Sequence, residues 1–400
     1  MLLRFNDVVI LSAVRTPIGK FGKSLRDLRA SELGAIAIRE AIERGGVDVN
    51  DIGLVVMGNV IRAGGGMLTS KQASLMAGLP PSIDCMNIDM VCSSGMASIA
   101  NASMYIEKGV VDVAIAGGME SMSSSPYLIP STMRWGVPHL TNRSLSVNDS
   151  MLVDGLVDPF TGYHMGKIAD LYARRVGASK EDLDIIALES HGRAWRAWES
   201  GVFSREVVEV KISRNGSTIT LERDEGVRGD LTLEKLREMK PAFTPEGPHT
   251  AGSSSQLSDG ASAVILARGD YARERGYKPI ARLKAYSSID TESSEFPWAP
   301  VPAVRELLKG AGLDISSIDL YENNEAFAVS TYIFTKELGV PMSRLNVHGG
   351  AIAIGHPLGA TGARLVTTLI NALRTTGGRR GVASMCHGLG GATAVLVELA

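Results

Sequence analysis

The chain repeats a part of itself, and this repeat restricts its fold more than any other feature of the sequence. The segments Ala37–Glu40 and Ala303–Glu306 share one pattern, and Gly, Asp, Ile and Leu follow each copy at the same spacing, at a constant offset of 266 residues. Each copy predicts a helix, a glycine turn and a strand. Cys92–Gly95 and His356–Gly359 also both open predicted helices. Unless the likeness is chance, two duplicated α/β halves are expected, with their helix-opening loops facing one shared site.

Apolar runs alternate with segments of 3.6-residue period along most of the chain, which is typical of an α/β protein with buried strands. The predicted strands lie at 8–12, 54–57, 112–116, 207–211, 263–267, 318–321, 381–385 and 394–398. The predicted helices lie at 32–44, 95–108, 183–199, 303–309 and 362–374.

Residues 121–250 fit neither half of the repeat. This stretch holds several prolines, a mixed-charge run and two predicted amphipathic helices, and it is too long for an ordinary connection. We therefore expect it to form a loop domain over the core. The predicted division is an N-terminal half over 1–120 with part of 251–270, the loop domain over 121–250, and a C-terminal half over 271–400.

Composition argues against several classes of partner. With 41 basic and 43 acidic residues, the net charge of −2 gives no general attraction for nucleic acid or an anionic membrane. No apolar run reaches the roughly 18 residues of a membrane span, and the first apolar run resembles a strand rather than a secretory signal. The 3 cysteines are too few and odd in number for a disulfide framework. A cytoplasmic location is therefore expected.

Cys92 lies between an apolar run and a predicted helix, with small neighbours that leave its sulfur approachable. A single cysteine is more often a small buried hydrophobe. At a helix N-terminus, however, the helix dipole and free N–H groups lower the pKa of a thiol. Cys92 is therefore a candidate nucleophile with a depressed pKa.

Three more blocks carry polar groups at predicted element ends. His356 stands between Gly355 and Pro357, which would orient it as a base. Cys386 ends an apolar strand before a glycine-rich turn whose amides could line an oxyanion, and Asn324 is either a helix cap or the holder of a site water. Metal binding is disfavoured, because Cys and His lack the spacing of a zinc site.

These four blocks resemble the thiolase family, and the likeness extends over nearly the whole chain. The further matching segments, in thiolase order, are 15–19, 71–73, 117–123, 163–166, 250–252 and 259–261. Each is weak alone, and jointly they are highly specific. The resemblance implies αβαβα layers in each half with an inserted loop domain, and a homodimer or homotetramer. It implies coenzyme A thioesters as substrates, in fatty acid metabolism, with no cofactor or metal.

The resemblance also implies residue roles. Cys92 is expected to be the nucleophile, His356 its base and Cys386 a second acid/base. Asn324 is expected to hold an oxyanion-hole water, and the amides of Cys92 and Gly388 to form a second oxyanion site. Coenzyme A contacts or pocket walls are expected at His164, Met165, Arg228, Phe243, Ala251, Ser255, Phe296 and Phe327.

The implied activity is that of an acetyl-CoA C-acetyltransferase, which reversibly condenses two acetyl-CoA into acetoacetyl-CoA and CoA through acyl-Cys92. The alternative is a 3-ketoacyl-CoA thiolase of β-oxidation with longer substrates. The 163–166 loop resembles the loop of family members that act on short acyl chains. The predicted wall against longer acyl chains consists of Met165, Phe296, Trp298 and Leu389. A ketoacyl synthase would carry a histidine in place of Cys386, and a non-catalytic thioester- or lipid-binding relative would not need these polar groups.

The chain also departs from the family pattern. The unusual positions are His348, Ser253, His387, Leu389, Ala392 and the segment 296–298. These departures bear on the size of the pocket and leave the four catalytic identities unchanged.

Overall fold

The computed structural model describes residues 1–136, 146–214 and 216–400; positions 137–145 and 215 of the predicted loop domain lie outside the described residues. The strands are β1 (Leu2–Arg4), β2 (Val8–Arg15), β3 (Gly19–Lys20), β4 (Ile52–Gly58), β5 (Asp84–Ile88), β6 (Val113–Ser121), β7 (Tyr127–Leu128), β8 (Asn148–Asp149), β9 (Val210–Arg214), β10 (Ser217–Leu221), β11 (Ser258–Arg268), β12 (Ala281–Asp290), β13 (Leu320–Asn323), β14 (Arg380–His387) and β15 (Gly391–Leu399). The α-helices are α1 (Ala30–Gly45), α2 (Thr69–Met76), α3 (Ser94–Glu107), α4 (Met165–Arg175), α5 (Lys180–Glu199), α6 (Leu233–Arg237), α7 (Gly269–Arg275), α8 (Pro300–Ala311), α9 (Ala328–Leu338), α10 (Ala351–Ile354) and α11 (Leu358–Thr376).

The main sheet consists of two halves with the same pairing pattern. Its strand order is β13-β14-β15-β12-β2-β11-β6-β4-β5. In the first half β4 is parallel to β6, which is antiparallel to β11, which is antiparallel to β2. In the second half β13, β14, β15 and β12 repeat that series. The halves join where β12 and β2 pair antiparallel through Ala281 with Ile10 and Arg282 with Val9.

Helices separate and cover these two halves. In the middle, α3 and α11 pack on each other, α3 against β6 and β4, and α11 against β11, β6 and β14. On the outer faces, α1 packs on β11 and β2, and α8 packs on β15 and β12. The result is the predicted α/β/α/β/α layering.

The sequence repeat corresponds to equivalent local structures. Helix α1 ends at Gly46 with φ 58°, and α8 ends at Gly312 with φ 67°. Both glycines adopt the left-handed conformation that a side chain disfavours, which explains why glycine recurs at this offset. A short 3₁₀ turn and then a strand, β4 or β13, follow in each copy. The predicted duplication is confirmed.

Glycines let the two central helices begin close together. A Cβ on Gly118 of β6 would lie 1.8 Å from the carbonyl oxygen of Gly359, and a Cβ on Gly95 of α3 would lie 2.8 Å from the same oxygen. Both distances are far shorter than any real contact of a Cβ atom. The first turn of α11 therefore contacts β6 and α3 directly, which places the residues before α3 and α11 at one end of the molecule.

A buried ion pair ties residues of the 121–250 stretch to the core. Arg15, at the end of β2, is fully buried, and its guanidinium lies 2.7 Å from Glu206 and 2.7 Å from Asp224. Removing one member of such a group leaves a buried charge without its partner, at a cost of about 3–5 kcal/mol. Arg15 thus fixes how this stretch covers the central helices.

The predicted elements are present, mostly with longer bounds, although the strands expected at 207–211 and 318–321 lie further along, as β9 and β13. The strands without a predicted range are β1, β3, β5, β7, β8, β10 and β12, and the helices without one are α2, α4, α6, α7, α9 and α10. In β12 the polar Arg282 and Lys284 interrupt the apolar run that would indicate a buried strand. None of the described helices is long and apolar enough to cross a membrane.

Candidate active site

A cavity of about 520 Å³ opens where the first turns of α3 and α11 meet residues of the 121–250 stretch. The predicted site residues that line it are Cys92, His164, Met165, Arg228, Phe243, Ala251, Ser255, Phe296, Phe327, His356, Cys386 and Gly388. Asn324 is fully buried and lies behind His356. Residues from both halves and from the predicted loop domain therefore meet at one cavity.

Cys92 lies in the turn between β5 and α3, and its side chain is half-buried. The preceding residue, Val91, has φ 47°, a left-handed conformation that costs a β-branched residue about 1–3 kcal/mol. The backbone N–H groups of Gly388 and of Cys92 itself lie near the sulfur and favour its thiolate form. The turn and the Gly388 loop thus aim two donors at the candidate nucleophile.

The expectation of a depressed thiol pKa is wrong for this structure. Burial raises the pKa of Cys92 to about 12, and the nearby carboxylates of Glu120 and Asp89 contribute to the increase. The two backbone N–H groups lower the pKa, as predicted, but by less than burial raises it. Desolvation outweighs the helix start because the cavity walls exclude water from the sulfur. Cys92 is therefore a thiol in the empty site and needs a base.

His356 lies between α10 and α11 and is 5% exposed. The residue before it, Gly355, has φ 118°, and a Cβ there would lie 2.5 Å from the Ser258 hydroxyl oxygen, so only glycine fits. The pKa of His356 is lowered to about 3, chiefly by burial and also by the positive charge of Arg364. The imidazole is therefore neutral and can accept a proton.

The hydrogen bonds of His356 define which of its ring nitrogens accepts the proton. Thr361 Oγ1 donates to the carbonyl oxygen of Pro357 at 2.8 Å. Because a hydroxyl has one hydrogen, Thr361 must act as an acceptor towards His356 Nδ1, at 2.7 Å. Nδ1 therefore carries the hydrogen, and the lone pair of Nε2 is available as the base.

Asn324 follows β13, and its Nδ2 lies 3.4 Å from His356 Nε2. An amide nitrogen only donates, so this contact agrees with a lone pair on Nε2. The Asn324 backbone N–H donates to Ser384 of β14, at 2.9 Å, which fixes the residue in the sheet. The helix-cap alternative does not hold, because α9 begins at Ala328, after Phe327.

Cys386 lies on β14, opposite Ala392 of β15, and is 1% exposed. Burial raises the pKa of its thiol, and the proximity of Cys92 raises it further. The nearby Ser330 hydroxyl of α9 acts in the opposite sense and lowers the pKa. The two cysteines therefore approach each other from different halves of the fold.

One end of the cavity is cationic. Arg228 lines it together with Lys20 and His191. The Nδ1 atom of His191 accepts the backbone N–H of Arg228 at 3.2 Å. Burial lowers the pKa of His191 to about 3, and the charges of Arg228 and Lys20 contribute. The neutral imidazole leaves the two cations free to attract an anionic group.

Between that end and the cysteines the walls are aromatic. The His164 ring stacks on Phe243 with centroids 5.3 Å apart and an interplanar angle of 16°. Phe243 and Phe296 both meet Phe327 edge-on, at 5.6 and 6.0 Å. These rings form a narrow apolar channel of the kind that holds a flexible ligand arm.

Two of the four residues predicted to exclude longer acyl chains do not line the cavity. Met165 and Phe296 line the cavity, whereas Trp298 lines a separate depression beside Tyr172 and Tyr332. Leu389 is 43% exposed, because its φ of 69° turns the side chain away from the cavity. His348 is likewise not a lining residue; its ring packs edge-on against Phe203. Of the departures from the family pattern, His387 and Phe296 line the cavity.

Three functional candidates were not found from the sequence: Thr361, His191 and Lys20. A usable signal existed for two of them. Thr361 follows His356 by about one helical turn, and His191 lies in the buried stripe of α5 with Ala187 and Ala194. A polar residue in an apolar stripe is informative. Lys20 has no comparable signal.

Comparisons with known proteins agree with the fold. The thiolase N-terminal domain family matches residues 8–270, and the thiolase C-terminal domain family matches residues 277–399. An acetyl-CoA acetyltransferase from Synechocystis sp. is 42% identical over 98% of this chain and 99% of its own length.

Two solved structures are similar over almost their full length. The Bacillus anthracis acetyl-CoA acetyltransferase has a TM-score of 0.95 and 36% identity, over 99% of this chain and 100% of that one. The Acat5 thiolase of Ascaris suum, solved with coenzyme A, has a TM-score of 0.91 and 39% identity over the same shares. The chain therefore belongs to the thiolase family and is an acyltransferase.

Proposed function

We propose that this thiolase is an acetyl-CoA C-acetyltransferase that reversibly condenses two acetyl-CoA into acetoacetyl-CoA and CoA. The observation that carries the proposal is the meeting of Cys92, Cys386 and His356 at one cavity, with the Gly388 amide near the Cys92 sulfur. The names of relatives about 40% identical over nearly the whole chain support the choice of substrate.

The first half-reaction is acyl transfer to Cys92. Its thiol gives its proton to His356 Nε2, and the sulfur attacks the thioester carbonyl. The amides of Cys92 and Gly388 stabilise the oxyanion, at about 3–4 kcal/mol per donor. The C–S bond to CoA breaks, the proton passes to the leaving thiolate, and acetyl-Cys92 and CoA remain.

The second half-reaction forms the carbon–carbon bond. Cys386 gives its proton to His356, which is neutral again, and the resulting thiolate removes an α-proton from a second acetyl-CoA. The enolate attacks the acetyl carbonyl, and the released Cys92 thiolate takes the proton back from His356. Protonated His356 and a water held by Asn324 stabilise the enolate oxygen. Because burial raises the pKa of Cys386, its thiolate is a strong base once formed, in agreement with abstraction of a weakly acidic proton.

Coenzyme A would extend from the cysteines through the aromatic channel to the cationic end. His164, Phe243 and Phe327 would contact its apolar arm, with Ala251, Ser255, Phe296 and Met165 as further walls. Arg228 and Lys20 would attract its phosphates. A polybasic surface is not needed, since two cations at one end of a cavity provide the local attraction.

A second candidate function is a 3-ketoacyl-CoA thiolase acting on longer chains. It is favoured by one observation: Trp298 and Leu389, half of the expected wall, do not line the cavity. Of the predicted wall, Met165 and Phe296 remain at the cavity. A ketoacyl synthase is disfavoured by Cys386, and a non-catalytic relative by the joint presence of a base, two thiols and directed amides.

The deciding experiment follows thiolysis of acetoacetyl-CoA and 3-ketooctanoyl-CoA by the wild-type enzyme. We expect a larger kcat/KM for acetoacetyl-CoA. A ratio at or below one would support the longer-chain thiolase instead, and no turnover of either would leave the non-catalytic relative.

Cys386→Ala separates the two half-reactions. We expect acetyl-Cys92 to form in this variant, as a mass increase on the Cys92 peptide, while condensation of acetyl-CoA is abolished. Cys85→Ala is the matched control, because Cys85 is a half-buried free cysteine of β5 that is not among the lining residues. Condensation by Cys386→Ala near the wild-type rate would contradict the proposed role.

A cytoplasmic location, a place in fatty acid metabolism and a homodimer or homotetramer belong to this proposal as well. They rest on the sequence and on the family resemblance. Size-exclusion chromatography with light scattering tests the oligomeric state.

A further inference from the structure

His387 follows Cys386 on β14 and takes no part in the proposed chemistry. Its side chain is 6% exposed, and its Nδ1 lies 2.8 Å from the carbonyl oxygen of Gly388. A carbonyl oxygen only accepts, so Nδ1 carries the hydrogen and donates it. The imidazole therefore holds the peptide group that follows Gly388.

The His387 ring has a defined position. On β15 the residue opposite His387 is Gly391, and on β12 the residue opposite Gly391 is Asp290. A Cβ on Gly391 would lie 2.0 Å from both Cε1 and Nε2 of the ring, so the ring covers the space that a side chain would fill. Asp290 Oδ1 is 4.0 Å from Nε2 on a carboxylate that is 75% exposed, so its attraction is weak. Packing on Gly391 and the Nδ1 hydrogen bond fix the ring.

The turn after His387 needs such support. Leu389 has φ 69° and Gly390 has φ 88°, two consecutive left-handed residues, of which the leucine is the costly one. The Gly390 carbonyl accepts hydrogen bonds from the backbone N–H and the hydroxyl of Thr291, at 3.0 and 2.6 Å. The turn is therefore held at its start by His387 and at its end by Thr291.

The start of this turn carries the donor that reaches Cys92. Gly388 and Cys92 line the same cavity, and the Gly388 N–H lowers the pKa of the Cys92 thiol. A Cβ on Gly388 would lie 3.5 Å from Cγ1 of Val91, the residue before Cys92. The N–H and the carbonyl of Gly388 are attached to the same Cα atom. If the carbonyl loses its hydrogen bond to His387, the backbone at Gly388 is free to rotate, and the N–H is displaced. An oxyanion donor loses effect when it is displaced by about 1 Å.

We propose that His387 is a positioning residue, which fixes the Gly388 amide at the oxyanion site by holding the Gly388 carbonyl. This inference rests on the proposed acyl transfer to Cys92. Through the Gly388 amide, His387 stabilises the tetrahedral oxyanion of that transfer. His387 itself makes no bond to the substrate. Its effect should therefore appear in the rate of acylation and not in the affinity for acetyl-CoA.

Two variants of nearly equal size test the hydrogen bond. His387→Asn keeps a donor near the position of Nδ1, and His387→Leu has none. In rapid-quench experiments we expect His387→Leu to acetylate Cys92 about 10- to 100-fold more slowly than wild type, with little change in KM. His387→Asn should stay within about threefold of wild type.

Alkylation of Cys92 by iodoacetamide separates positioning from general damage. Alkylation forms a bond at a saturated carbon and builds no oxyanion, so it depends on the Gly388 amide only through the pKa of the thiol. We therefore expect His387→Leu to lose much less in alkylation than in acylation. If His387→Leu fails to fold, His387→Gln replaces it, because its amide reaches the place of Nε2 rather than Nδ1; it should acylate more slowly than His387→Asn.

Three results would overturn the inference: acylation by His387→Leu at the wild-type rate, equal losses in acylation and alkylation, or His387→Asn as slow as His387→Leu. A wild-type enzyme that acetyl-CoA does not acetylate on Cys92 would instead refute the proposed function itself, before any variant is compared.

Discussion

Replacing Thr361 by valine removes the hydroxyl that accepts the Nδ1 hydrogen of His356, at 2.7 Å. Both side chains are buried, so the variant leaves an N–H without an acceptor in a dry site, which costs about 1–3 kcal/mol of stability. The hydrogen bond also selects the tautomer. Its net value of about 0.5–1.5 kcal/mol corresponds to about a 2- to 12-fold preference for the lone pair on Nε2.

Asn324 limits the loss in this variant. Its Nδ2 faces His356 Nε2 at 3.4 Å and disfavours a hydrogen on that atom, so part of the tautomer preference remains. We therefore expect Thr361→Val to acetylate Cys92 about 3- to 10-fold more slowly, with little change in KM. Thr361→Ser keeps the hydroxyl and should stay near wild type.

Thr367→Val is the matched control on the same helix. Thr367 is also buried in α11, and its hydroxyl lies 3.1 Å from Ser262 rather than near His356. It should lower the melting temperature and leave acylation unchanged. Wild-type acylation by Thr361→Val, or an equal loss of acylation in Thr367→Val, would show that Thr361 does not orient the base.

Other predictions concern the coenzyme A channel. Arg228→Ala should raise KM with little change in kcat, because a phosphate contact persists unchanged through the chemistry; an unchanged KM would contradict the contact. The pKa of His191 is lowered to about 3 in the folded protein. As the pH falls below about 6.5, His191 therefore becomes protonated in the unfolded chain before it does so in the folded protein. The contribution of neutral His191 to stability is thus present above about pH 6.5 and is lost as the pH falls towards 3. Below pH 6.5 the free energy of unfolding of wild type, measured with urea, should therefore fall relative to that of His191→Asn by up to about 1.4 kcal/mol per pH unit. Equal pH dependence of the free energy of unfolding in the two proteins would refute this. Met165→Ala should shift kcat/KM towards 3-ketooctanoyl-CoA over acetoacetyl-CoA, since Met165 lines the cavity, whereas Leu389→Ala should not.

The parts of the fold that sequence could predict are those with local causes. Gly46 and Gly312 recur because each ends a helix in a left-handed conformation, which a side chain disfavours. Their common offset was enough to reveal the duplication. Strand β12 was missed for the opposite reason: its alternation of polar and buried residues has meaning only beside β15, which is far away in the sequence.

The site shows the same difference between features with local causes and features that depend on residues far away in the sequence. The blocks around Cys92 and His356 were found because their residue types and small neighbours are adjacent in sequence. The pKa of Cys92 was predicted in the wrong direction, because it depends on how completely distant residues exclude water from the sulfur. The direction of Leu389 could not be predicted either, since it follows from a single φ of 69° in a turn that Thr291, the residue after β12, holds by hydrogen bonds.

The failed pKa prediction bears on how this site works. A Cys92 thiolate held permanently by a helix start would react with any electrophile that enters the cavity. A thiol with a raised pKa, beside a neutral histidine whose lone pair Thr361 orients, reacts more slowly with other electrophiles than with a thioester carbonyl that reaches the directed amides. Stabilisation of the oxyanion then offsets part of the cost of moving the proton to His356. On this view the groups that position the amides and the imidazole, His387 and Thr361, determine the acylation rate as much as the nucleophile does. A double variant lacking both should lose more acylation than either single variant, and a loss no greater than that of one single variant would mean that the two groups act through the same step of positioning.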